Sequence, residues 1–202
     1  MQGYSKFICV GKALLDINMY KHLSTKEIES KLDHILASPK DRGTLDAIVR
    51  RPSSGVREEL MTCEISAKDG LIGDHWAKGC WKSLPDGRPD PDVQINLMNS
   101  RFIELIATSR KNLAPAGNNF YVDMDLSFEN LPVGQRLSLG TAELEVTSVP
   151  NTGCQLFIDR YGRDACVFVN KGIGRNMRLR GVYARVIKDG RISIGDKLEK
   201  CD

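Results

Sequence analysis

From residue 44 onward, apolar side chains recur at every second position in short runs, each broken by glycine or proline. This period of two constrains the fold more than any other feature of the chain. The run 141–147 is the cleanest. Ala142, Leu144 and Val146 alternate with Glu143 and Glu145, which puts the apolar set on one face and the carboxylates in water. Residues 45–50 form a similar run that stops at Pro52. After the Ser53-Ser54-Gly55 turn, Arg57 to Ile65 reads as a second strand with Leu60 and Ile65 inside. Val182, Ala184 and Val186 line one face of a late strand, and Asp189-Gly190 signals a hairpin through which Ile192 and Ile194 continue the pairing. Many short strands with regular Gly and Pro punctuation predict a mainly β barrel or sandwich. There is no βαβ rhythm. One internal helix is expected near 100–108, where Phe102, Ile103 and Ile106 share a face.

The first forty residues follow a different period. Ser24-Thr25-Lys26-Glu27 is a capping box, and Ile28, Leu32, Ile35 and Leu36 then form a helical stripe that Pro39 and Gly43 stop. The spacing predicts a helix over 25–37. The chain thus divides into an N-terminal helical extension, 1–43, packed on a barrel domain, 44–202. A length of 202 residues suits one domain with such an appendage and can bury a core without disulfides or a structural metal.

Charge and cysteine usage exclude several classes. The net charge is only +3, and no Lys/Arg run interleaves with aromatics, which argues against nucleic acid as a partner. Arg178-Leu179-Arg180 reads as solvated strand ends, or at most as local anion contacts. Met1 to Val10 lacks the apolar stretch of a signal peptide, and no window nears the roughly 20 apolar residues of a membrane span. Six cysteines without any CxxC spacing argue against zinc ribbons and a secreted disulfide framework, and point to reduced thiols in the cytoplasm.

Three segments carry candidate chemistry. Pro150-Asn151-Thr152-Gly153-Cys154 follows a strong strand directly, so the strand breaks and delivers a thiol into a loop at the barrel rim. Arg160, Arg163, Lys171 and Arg175 lie nearby in sequence. The alternative is an inert packed cysteine. In Gly70-Leu71-Ile72-Gly73-Asp74-His75-Trp76, glycines bracket a tight turn that sets a carboxylate beside an imidazole, for proton transfer or ligand binding. The alternative for Asp74 is a carboxylate that caps backbone amides of its own turn. Asp123 to Leu131 reads as a strand whose alternating acids face water, with Glu129-Asn130 at its end fixing a loop or binding a polar ligand group. The Pro/Gly-rich stretch 77–92 is expected to be an irregular lid, in which Cys80 is a second thiol or a loop cysteine of no consequence.

These segments fall in a recognisable order: Gly70-Leu71-Ile72-Gly73-Asp74-His75, Val93-Gln94-Ile95-Asn96-Leu97, Leu126-Ser127-Phe128-Glu129-Asn130-Leu131-Pro132, Leu137-Ser138-Leu139-Gly140, Leu144-Glu145-Val146-Thr147 with Gly153-Cys154, and Arg180-Gly181-Val182-Tyr183-Ala184-Arg185-Val186 to Gly195-Asp196. The series resembles the MOSC family, named for the C-terminal domain of molybdenum cofactor sulfurases, over about residues 44–200. The resemblance implies a largely antiparallel MOSC-type β-barrel with a few short helices. It also implies one functional cysteine, which maps to Cys154. In relatives that cysteine ligates molybdenum in a pterin cofactor or is proposed to carry persulfide sulfur, and some relatives reduce N-hydroxylated bases and amines.

On this reading Cys154 is the metal ligand of a molybdopterin-type cofactor, and His75 or Asp74 is a proton donor. Glu129 and Asn130 bind a polar group of the cofactor, and Arg163, Lys171, Arg175 and Arg180 hold its phosphate. The chain then reduces N-hydroxylated substrates with electrons from a redox partner protein. The alternative is a sulfur carrier whose Cys154 persulfide comes from a separate cysteine desulfurase. No pyridoxal-phosphate desulfurase domain fits in 202 residues, so a stand-alone member is expected. A third alternative is a non-catalytic module that binds another small ligand.

Overall fold

The alternation at 142–146 is realised as a barrel stave. In the computed structural model, which describes residues 21–201, eleven strands form two sheets: β1 Gly43–Arg50, β2 Glu58–Leu60, β3 Thr62–Ser66, β4 Gly70–Leu71, β5 Ile95–Asn99, β6 Phe120–Asp123, β7 Arg136–Leu139, β8 Ala142–Val146, β9 Val182–Lys188, β10 Gly190–Ser193 and β11 Lys197–Lys200. The larger sheet runs β11-β7-β8-β9-β5-β6-β1 and closes on itself through β1 and β11, with β2 attached to β1. It is therefore a seven-stranded barrel. The closing join is short, only Gly43 opposite Leu198 and Thr44 opposite Lys197. Inward residues from every stave, among them Leu45, Leu97, Phe120, Leu137, Leu144, Ala184 and Leu198, make one buried core.

The remaining strands form a small sheet, β10-β3-β4, whose Cys63, Ile65, Leu71 and Ile192 join that core. Two expectations change here. The strand foreseen over 57–65 is broken at the exposed Met61, with β2 on the barrel and β3 in the small sheet. Nor do β9 and β10 form a hairpin. The Asp189 carboxylate accepts from the Ala67 amide, and Ile192 pairs with Cys63, so the chain leaves the barrel at residue 189.

Helices cover the outside of β1, β5 and β6. Ala47, Val49, Met98 and Tyr121 point away from the barrel interior into a second core with helical residues such as Phe102, Ile106, Phe157, Phe168 and Leu179. The foreseen helix at 100–108 is α4, Ser100–Ala107, capped by the Asn99 side chain, which accepts from the Phe102 amide. It links β5 to β6, which are parallel, so one βαβ crossover exists where none was expected.

The N-terminal stripe forms two short helices, α1 Thr25–Glu29 and α2 Leu32–Leu36, rather than one over 25–37. The capping box at Ser24 and Glu27 is formed, and Ile28 and Ile35 are buried in the outer core. The leader-peptide reading of residues 1–10 falls outside the described residues. Among the described residues no helix is long and apolar enough to cross a membrane.

Three further helices were not foreseen: α5 Gln155–Tyr161, α6 Arg163–Asn170 and α7 Gly172–Asn176. The stretch 77–92 is more ordered than a free loop. It begins in a helical turn, α3 Trp76–Gly79, and folds back through a Ser83–Pro89 bridge and a Lys82–Asp90 ion pair.

Candidate functional site

Cys154 sits at the point where β8 has ended and α5 begins. Its carbonyl accepts from the Phe157 and Ile158 amides, and its side chain is exposed. The preceding loop is held rigidly. Asn170 accepts from the Gly153 amide and donates to the Gly153 carbonyl, while Asn151 donates to Asn96 and to the Arg180 carbonyl. Position 153 admits only glycine without displacement, because a Cβ there would lie 2.8 Å from the Cys166 sulfur. The sequence therefore delivers the thiol on a short, anchored strap.

The thiol opens on a cavity of about 220 Å³. Four arginines, Arg51, Arg57, Arg160 and Arg180, line it together with His75, Cys80 and Tyr183, and no carboxylate is in its wall among the described residues. Arg51 is the compensated cation: its Nε and Nη2 bind both oxygens of Asp74 at 2.9 and 3.0 Å. The other three have no acid partner among the described residues. Arg160 donates to the Pro115 carbonyl, and Arg180 donates to Asn118 and to the Ala116 carbonyl and lies over the Phe157 ring.

Burial pushes the Arg57 guanidinium down from its usual pKa, and the charges of Arg51 and Arg160 push it the same way. Burial also presses Arg180 down, although the tyrosines and Cys154 around it favour its charge. The Nε atoms of Arg57 and Arg180 and the indole nitrogen of Trp76 are buried donors with no acceptor. Donors left in that state cost free energy.

Asp74 lies behind this wall. Beyond Arg51 it accepts from the amides of Arg51 and Trp76 and from Asn119. Burial alone would raise its pKa, but the Arg51 bonds outweigh that and hold it below the usual carboxylate range. Asp74 is thus held ionised behind the cavity wall by Arg51. His75 does reach the cavity. Its Nδ1 is 2.9 Å from the Arg51 carbonyl, which can only accept, so the proton sits on Nδ1 and Nε2 is left for chemistry.

Of the residues singled out in the sequence, Cys154, His75, Cys80, Arg160 and Arg180 line this cavity. Arg175 lines a neighbouring cavity, and Arg163 and Lys171 are exposed and line neither. Glu129 is exposed, while Asn130 ties a loop by donating to the Lys40 and Asp125 carbonyls and accepting from Lys200. The acids at 123–125 do not face water: Asp123 pairs with Arg101 and Asp125 is buried. Arg178 and Arg180, read as solvated strand ends, are both buried. They flank a turn that ends at Gly181, where φ is +112° and a Cβ would meet the Leu97 carbonyl at 2.2 Å.

Arg51 and Arg57 were not anticipated. The bond from Arg51 to the Gly117 carbonyl spans 66 positions, a contact no local pattern announces.

The family model of the MOSC domain matches residues 90–199. The chain belongs to the MOSC family. The matched span begins after β4, so the Asp74-His75 turn lies outside it. Among solved structures, this MOSC chain is similar to the YuaD protein from Bacillus subtilis, at 18% identity over 78% of this chain and 94% of that one, with a TM-score of 0.58. It is also similar to YiiM from Geobacillus stearothermophilus, at 15% identity over 79% and 75% of the two chains, with a TM-score of 0.55. At such identities the likeness establishes the fold. No curated relative matches the chain.

Proposed function

We propose that this MOSC protein holds a molybdopterin-type molybdenum cofactor through Cys154 and reduces N-hydroxylated substrates. The observation that carries the reading is an exposed thiol opening on a cavity walled by four arginines with no lining carboxylate among the described residues. The donor set fits the group. A soft thiolate suits molybdenum, and guanidinium forks suit phosphate oxygens. Arg57, Arg160 and Arg180 bring positive charge to that wall without an acid partner among the described residues.

No set of three His, Cys, Asp or Glu side chains gathers to hold a metal among the described residues, so protein ligation would come from one sulfur. When bound, the cofactor supplies two-electron redox chemistry. The chain's own residues do the rest. Arg57, Arg160 and Arg180 balance the anionic charge, Asp74 fixes Arg51 and thereby the ring of His75, and His75 Nε2 is placed to exchange a proton with substrate. Reduction of N–OH to N–H takes two electrons and two protons and releases water, so a redox partner protein completes the cycle. The five described cysteines are all unpaired, which fits a reducing cytoplasm.

Metal analysis tests this reading. Protein purified from cells rich in the cofactor should carry about one molybdenum per chain, lost on Cys154→Ala and reduced on Arg57→Ala. Metal-free wild type from such cells, or a Cys154→Ala protein that keeps the metal, overturns it.

The exposure of Cys154 at the start of α5 favours a second reading, a persulfide carrier served by a cysteine desulfurase. Intact mass after incubation with a desulfurase and cysteine should then rise by about one sulfur, on Cys154 alone. An unchanged mass removes that alternative.

A further inference from the structure

On the other side of the strap 151–153 lies a second and larger cavity, of about 540 Å³. Its volume is in the range that encloses a small organic ligand. Its wall is mixed. Phe128 and Val133, two large apolar side chains that are more than half exposed, stand with Val149 and Pro150 on one part of it. Arg175 and Arg178 supply the charge, and no carboxylate lines it among the described residues.

The two arginines are in different states. Arg178 is buried and donates through Nε and Nη2 to the Leu126, Ser127 and Leu131 carbonyls, which leaves Nη1 without an acceptor among the described residues. Its guanidinium lies 4.7 Å from the centre of the Phe128 ring and so stiffens the apolar wall. Arg175 is exposed and makes no ion pair with a described residue. A cavity with an apolar wall, one fixed cation and one free cation is complementary to a molecule with a flat apolar body and one negative group. Water alone would leave the apolar wall wet and both charges uncompensated.

We propose that this cavity is a separate binding site for a small organic anion with an aromatic or otherwise apolar body, a carboxylate, sulfonate or phosphate held by Arg175 with Arg178 behind it. The site shares Tyr183 with the Cys154 cavity, and the strap residues 151–153 that line it lead directly into Cys154. The assignment holds whichever chemistry Cys154 performs.

Fluorescence titration with 1-anilinonaphthalene-8-sulfonate tests it, since that probe joins an aromatic body to one sulfonate. Saturable one-site binding is expected. Loss of one charge-assisted contact should weaken it about tenfold in Arg175→Glu, and the uncharged N-phenyl-1-naphthylamine should bind the wild type weaker by a similar factor. Val133→Glu, which sets a carboxylate at the apolar wall, should abolish it. Arg57→Glu, in the other cavity, should leave it within about twofold. Both Arg175 and Val133 are exposed, and thermal melts matching the wild type show that the variants fold. No saturable binding, equal binding by Arg175→Glu, equal binding of the uncharged probe, or loss in Arg57→Glu alone overturns the proposal. Because none of these readings involves molybdenum, the site can fail or stand independently of the cofactor.

Discussion

Two cysteines of this chain sit on short strand-derived segments and have opposite surroundings. Cys63, in β3, belongs to the barrel core. Burial pushes its thiol up to about 12, and the nearby charges of Asp196 and Glu64 push the same way. Cys154 leaves the sheet altogether, is exposed, and faces a wall of guanidinium groups. The residue type is the same. The difference lies in whether the backbone keeps the strand period, which sends every second side chain inward, or breaks it at Pro150 and Gly153. A barrel of this kind confines reactivity to the places where its alternation stops.

The largest expected effect tests that contrast directly. With a pKa of about 12, Cys63 is thiolate in roughly one molecule in ten thousand at pH 8. Iodoacetamide at that pH should label Cys154 at least about a thousandfold faster than Cys63 in the folded protein, read by peptide mass spectrometry. Comparable rates at the two thiols would erase the distinction.

Next in size is the ion pair behind the cavity. Asp74→Asn leaves Arg51 without its carboxylate and should cost about 3 kcal/mol in urea unfolding at neutral pH. The pH dependence sharpens this. The folded-state pKa of Asp74 is lowered from an ordinary 3.8, so its contribution is present above that value and is lost as pH falls through the lower folded pKa. The gap between wild type and variant should therefore close in acid and stay constant above about pH 5.

A third thiol, Cys166, backs the strap that carries Cys154. Gly153→Ala drives a methyl into the Cys166 sulfur and should destabilise by about 2 kcal/mol. Combining it with Cys166→Ala should recover about half of that, a coupling that separate effects at the two positions would not produce. The smallest effect is far from either cysteine. Ser24→Ala removes the N-terminal cap of α1 and should cost about 1 kcal/mol without altering Cys154 labelling.

The barrel was legible because its signal is local. Leu144 and Val146 alternate with glutamates, and the strand formed where the pattern said it would. The helices over 155–176 were not legible. Each is at most eight residues long, and Gly162, Gly172 and Gly174 interrupt the period on which recognition depends. The break at Met61 was hidden for another reason: a strand that changes sheets keeps its alternation.

Within the site, Cys154 could be singled out from the strand break before it, and His75 from its turn. Of the arginine wall, Arg160 and Arg180 could be named from their nearness to Cys154, but Arg51 and Arg57 could not. Arg57 and Arg160 meet only because the barrel brings the chain back past itself, and the burial of Arg178 and Arg180 depends on segments fifty to sixty positions away.

The join between β1 and β11 carries one last consequence. A cylinder held along most of its circumference by three or four register pairs per neighbour, but by two at a single line, is easiest to unzip at that line. Solvent hydrogen should enter the sheet there before it reaches β8 or β9. The other end of β1, at Arg50 beside the residue that Asp74 clasps, is pinned by β2 and should stay closed when the join opens.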